Sequence, residues 1–96
     1  MSTDTAKALL RRDRPAAWAM KYAIRTRRGY IQRIMEHESG TIIYLLTPEL
    51  EKALLLDSRR ETIKLATRAV NMGAVIKEVG IDQKTGTRAT VGTVVF

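Results

Sequence analysis

The chain is predicted to fold as an α+β domain. It should form an antiparallel β-sheet of about five strands, with one main helix packed on one face and a short N-terminal helix or arm. Three observations predict this. Apolar residues recur with a period of two in several stretches joined by tight polar turns. One stretch, "SRRETIKLATRAVNMG", switches to helical periodicity behind a capping pattern. The length of 96 residues fits one domain and leaves no room for two. Residues 1–15 form a basic arm or short helix, and residues 16–96 the α+β core.

The elements follow in order. "DTAKALLRRD", residues 4–13, places Ala6, Leu9 and Leu10 on one helical face. Ser2, Thr3 or Asp4 can cap its start, and Pro15 limits it by disfavouring helical geometry at Arg14. From Trp18 to Arg27 the period becomes two. Trp18, Met20, Tyr22 and Ile24 share an apolar face, while Lys21, Arg25 and Arg27 share the other. Trp18 reads as a core anchor. "RRG" makes a turn in which Gly29 can take positive φ. "YIQRIM" returns as a second strand with an ambiguous inward face. Plain alternation puts Ile31, Arg33 and Met35 on one side and Tyr30, Gln32 and Ile34 on the other. "EHESG" is a polar turn, and "TIIYLLT" a third strand rich in β-branched residues.

"TPELEKA" carries a helix-start pattern, with Thr47 as cap, Pro48 at the first helical position and Glu49 in the first turn. One or two turns should run from here into "LLL". The main helix is expected over residues 59–72. Ser58 and Glu61 form a capping box, and Ile63, Ala66 and Val70 make a stripe widened by Leu65 and Ala69. Gly73 supplies the stop. "AVIKEVGI" and "TRATVGTVVF" are two further strands around the turn "DQKTG", with a bulge expected at Gly92.

Several chemistries find no support. There is no cysteine, so no disulfide or thiolate metal site. The only histidine, His37, lies in a polar turn between Glu36 and Glu38 and reads as solvated. Glu49 with Glu51, and Glu78 with Asp82, read as surface charge. No phosphate-binding glycine loop occurs. "RGYIQRIM" fits an RNA-recognition signature at Arg28, Gly29 and Tyr30 only, and Ile31 and Gln32 break it. The expectation is a protein with no catalytic residues, no metal and no cofactor. No apolar run approaches bilayer-spanning length, and the N-terminus lacks the apolar core of a signal peptide. Asp4 and Asp13 argue against a transit peptide. A cytoplasmic protein without membrane contact is expected.

The charge distribution is the most informative feature. The formal net charge is +7. Residues 5–33 hold nine Lys/Arg and one acid, whereas residues 34–96 hold eight of each. The excess therefore lies in the first third. Arg11, Arg12 and Arg14 on the arm join Lys21, Arg25, Arg27 and Arg28 on the first hairpin as a candidate patch that neutralises phosphates. Tyr30 can stack on a base or cover a sheet face, with the covering role favoured. Arg33 completes the set, although plain alternation sends it to the other face. The expected partner is nucleic acid or a nucleoprotein complex. The other reading is an acidic protein surface, steered by complementary charge. A charged strand can also simply guard against edge pairing. The C-terminal strand "TVGTVVF" could pair across a homodimer.

From about Trp18 to Val79 the order of strand, turn, strand, "YLLTPELEKA", apolar step, capped helix, glycine and strand resembles small phage-encoded α+β proteins of the anti-CRISPR kind. The resemblance is one of layout, and no functional residue is carried across. It implies an inhibitor that occupies a host defence complex and blocks it sterically.

Overall fold

The computed structural model describes residues 18–96, and the helix expected over residues 4–13 lies outside them. Strands β1 (Trp18–Thr26) and β2 (Gly29–Glu36) form a hairpin around Arg27 and Arg28. The turn depends on Gly29, whose φ is +140°; a Cβ there would sit 2.7 Å from the Thr47 carbonyl oxygen. The Thr26 hydroxyl donates to the Gly29 carbonyl at 2.9 Å and accepts from the Arg28 N–H at 3.2 Å. β3 (Ile42–Thr47) pairs with β2. β4 (Val75–Asp82) and β5 (Arg88–Val94) complete an antiparallel sheet of order β3-β2-β1-β4-β5. Among the described residues no helix is long and apolar enough to cross a membrane.

The ambiguity of β2 is resolved by a bulge. The register with β3 shifts between Ile31 and Arg33, leaving Gln32 as the extra residue. Ile31 and Ile34 therefore face the same core, which unbroken alternation forbids. Arg33 turns to the opposite side with its cross-strand neighbour Leu45. A second register shift lies opposite Glu78 and Val79, next to Gly92 on β5.

The segment after β3 departs from the sequence expectation. Thr47 is the buried last residue of β3, and its hydroxyl accepts from the Glu49 N–H at 3.2 Å. It closes a turn and does not cap a helix. The short helix is a single 3-10 turn, Leu50–Lys52, begun at Glu49. "LLL" is extended. Leu56 and Tyr22 exchange backbone hydrogen bonds of 2.8 and 2.9 Å, and the Leu54 N–H donates to Ile31 at 2.9 Å. Residues 54–56 thus lie between β1 and β2, which pair directly only at Arg25–Tyr30 and Thr26–Gly29. The chain crosses from one face of the sheet to the other at this point. The reason is that Leu55 and Leu56 bury their side chains in different clusters, an arrangement an extended segment permits and a helix does not.

The main helix α1 (Arg59–Arg68) is shorter than expected. Ser58 caps it, accepting from the Glu61 N–H at 3.2 Å. Ala69 leaves helical geometry, a 3-10 turn spans Val70–Met72, and Gly73 ends the run at φ +75°. The buried helix positions are Thr62 and Ala66, followed by Ala69; Val70 is 63% exposed. Ile63, Leu65, Ala66 and Ala69 pack on the core as expected, while Val70 does not and Thr62 is buried with them. Thr62 can be buried because its hydroxyl donates to the Ser58 carbonyl at 2.7 Å.

The core has two parts, one on each side of the sheet. On the helix side, Ile24, Ile31, Ile76 and Val94 pack with Ala66, Ala69 and Ala74, joined by Tyr22, Ile34, Tyr44 and Leu46. On the other side Ala23, Tyr30, Val79 and Ala53 pack under Leu50 and Leu55. Arg88 ties this second layer down, donating to the carbonyls of Leu50 at 2.8 Å and Ala53 at 3.0 Å. Trp18, expected as an anchor, is half-buried and belongs to neither cluster.

Candidate functional site

Three lysines of the described residues form ion pairs, whereas Lys77, Lys84 and the helix arginines Arg59, Arg60 and Arg68 form none among those residues. The pairs are Lys21 with Asp57, Lys52 with Glu49 at 2.9 Å, and Lys64 with Glu61 at 3.7 Å. Hydrogen bonding and charge from Glu49 raise the Lys52 pKa above its ordinary value. Lys21, expected in the basic patch, is therefore engaged by Asp57. Arg88 serves the fold. Arg25, Arg27, Arg28 and Arg33 keep exposed guanidiniums with no carboxylate partner among the described residues. Arg11, Arg12 and Arg14 lie outside the described residues.

These four arginines fall into two groups. Arg25 and Tyr30 are direct cross-strand partners, and the Arg25 guanidinium lies 5.5 Å from the centre of the Tyr30 ring. Tyr30 is 8% exposed and packs against Ala23, Ala53 and Val79. With Arg25 above it, the ring is covered and acts as the floor beneath the cation. The bulge at Gln32 brings Arg33 to the side of the sheet that Tyr30 occupies, about one pleat repeat or ~7 Å further along β2. A single added residue thus unites Arg25 and Arg33, which plain alternation would separate.

Arg27 and Arg28 form the second group. Alternation expects Arg27 beside Arg25, but β1 ends at Thr26 and the pattern ends with it. The Arg27 N–H donates to the Met72 carbonyl at 3.1 Å. Its side chain crosses Gly73, where a Cβ would sit 2.7 Å from Arg27 Cγ. Arg27 and Arg28 line a hollow with Leu46 and Met72, which belong to the helix-side core.

An apolar component was not anticipated from the sequence. Ile43 and Leu45 of β3 are 47% and 46% exposed, and they pair with Met35 and Arg33 on the face away from the helix. The signal was present in "TIIYLLT", which is apolar on both faces with no polar alternation. At the other edge of the sheet Val70, Val75, Val95 and Phe96 are also exposed. His37 Nδ1 accepts from the Ser39 N–H at 3.2 Å within its turn. Among the described residues no group of three His, Cys, Asp or Glu could hold a metal ion.

Comparison of the chain with protein-family models, curated proteins and solved structures gave no match.

Proposed function

We propose that this chain is a non-enzymatic binding protein that engages nucleic acid, free or in a nucleoprotein complex, through the arginines of its first hairpin. One observation carries the reading. Arg25 and Arg33 stand on one side of the sheet with no carboxylate partner among the described residues, and Arg25 is braced on a buried tyrosine. Guanidinium is the cation suited to phosphate, because its planar fork donates two parallel hydrogen bonds. Holding Arg25 on Tyr30 lowers the side-chain entropy lost on binding. Arg27 and Arg28 extend the positive surface around the hairpin tip. Four arginines neutralise few phosphates, so affinity should be modest and strongly salt-dependent.

The test is binding of the full chain to random single-stranded and duplex DNA across a salt series. Log affinity falling linearly with log salt supports direct phosphate contact. No binding even at low salt rejects it.

A second reading has its own observation. Ile43, Leu45 and Met35 place exposed or half-buried apolar surface beside Arg33. That mixture suits a protein partner with an acidic rim, as for a phage-type inhibitor that blocks a host complex. Under this reading DNA binding is absent, and serine at Ile43 and Leu45 abolishes inhibition without unfolding the chain.

A further inference from the structure

The hairpin tip borders a cavity of about 320 Å³ lined by Thr26, Arg27, Arg28, Leu46, Asn71 and Met72. Its walls differ in chemistry. Two are arginines, one is an exposed asparagine, and two are partly buried apolar residues. None of the lining residues is acidic. Thr26 is already occupied on both sides by the turn, donating to Gly29 and accepting from Arg28. The polar groups left to meet a ligand are therefore those of Arg27, Arg28 and Asn71.

The arginines are positioned. Arg27 is tied through its N–H to Met72, and its stem rests on Gly73, whose missing side chain makes room for it: a Cβ would lie 2.9 Å from Nε. Arg28 is fixed at its backbone by the Thr26 hydroxyl. Two adjacent arginines match a group of charge near −2. At neutral pH a phosphate monoester carries about −1.5 to −2, whereas a backbone diester carries half of that. The apolar wall of Leu46 and Met72 faces the same space and suits a flat, weakly polar group. A thioether in particular contacts aromatic rings favourably. The volume lies at the lower end of the ligand-pocket range, roughly 300–1,000 Å³, so it admits one nucleotide-sized ligand.

We propose that this cavity binds a phosphorylated nucleoside, with the phosphate monoester between Arg27 and Arg28, the base against Leu46 and Met72, and Asn71 at the base edge. The source is a free mononucleotide or the phosphorylated end of a strand. The site is separate from the Arg25–Tyr30–Arg33 side of the sheet and does not rest on the polyanion reading.

The experiment is a titration of the isotope-labelled full chain, followed by amide NMR. The probes are adenosine monophosphate, adenosine, inorganic phosphate, and a short oligonucleotide with and without a 5′-phosphate. Adenosine monophosphate should give saturable shifts at residues 26–28 and 71–73. Adenosine and phosphate should each bind about tenfold more weakly, since each lacks one half of the contacts. R28Q and N71A, both at exposed positions, should each weaken adenosine monophosphate while the rest of the spectrum is preserved. A preference for the phosphorylated oligonucleotide over its hydroxyl-ended form assigns the site to strand ends. Equal oligonucleotide binding, with mononucleotide binding retained, assigns it to free nucleotides. No saturable shift up to about 10 mM overturns the proposal, as an affinity that weak leaves no room for specific contacts from all five residues. Equal response to phosphate and to adenosine monophosphate also overturns it. DNA binding that survives in R28Q, alongside failure of the mononucleotide, rejects this site and leaves the polyanion reading standing.

Discussion

Replacing Arg25 and Arg33 together by glutamine tests the hairpin surface most directly. The substitution removes two charges and keeps much of each side-chain stem. Each neutralised phosphate contributes about −0.7 to the slope of log affinity against log salt for a single strand, and about −0.9 for a duplex. Four unpaired arginines on the hairpin then predict slopes of about −2.8 and −3.6, before any contribution from the first seventeen residues. Losing two of them flattens the slope by about 1.4 on a single strand and about 1.8 on a duplex, and whatever the rest of the chain adds cancels in the difference. Between 50 and 200 mM salt the hairpin's share of the single-strand affinity falls about 50-fold in the parent and about 7-fold in the variant. The stability cost is small. Arg25 gives up a partly exposed cation–π contact of about 0.5–1 kcal/mol, and Arg33 is exposed beside Leu45. Fluorescence anisotropy of a labelled strand at several salt concentrations measures the slope, and a urea melt verifies folding. A folded double variant with the parental slope refutes the assignment of these arginines to phosphate contact.

Three further outcomes follow from the fold. R88A leaves the Leu50 and Ala53 carbonyls without their charged donor and should cost about 2 kcal/mol in a denaturant melt; a loss under about 0.5 kcal/mol would mean that water replaces it freely. G29A forces a side chain to φ +140° and against the Thr47 carbonyl, so it should cost at least about 2 kcal/mol, or about 10 °C in Tm, and a neutral effect would contradict the turn geometry. The amides of Leu54 and Leu56 should exchange with solvent as slowly as those of β1, because they bond into the sheet; exchange as fast as in the 37–40 turn would place residues 54–56 outside it.

Much of the fold was legible because its signals are local. Ser58 needs only the Glu61 N–H three residues on, and Gly73 only its own φ, so both ends of the helical region could be placed from the sequence. The Thr26–Gly29 turn follows from the glycine that closes it. The misreadings share a cause. Thr47, Pro48 and Glu49 make a valid helix start, yet "LLL" is drawn into the sheet by Tyr22 and Ile31, residues more than twenty positions away. Val70 fits the helical stripe, but the helix ends before it and turns it to solvent.

The candidate surface divides in the same way. That arginines concentrate in the first third of the chain, and that Arg25 alternates away from Ile24, belongs to the sequence alone. Composition and a period of two are properties of neighbouring residues, and they survive in any tertiary setting. Three things were decided only when the chain closed on itself. Asp57, beyond the third strand, neutralises Lys21. The Gln32 bulge turns Arg33 to the side of Tyr30. Gly73, at the far end of the helix, receives the stem of Arg27. Each depends on a contact between distant segments, and the energy that selects it comes from packing both sides of the sheet at once, which no local window of sequence contains.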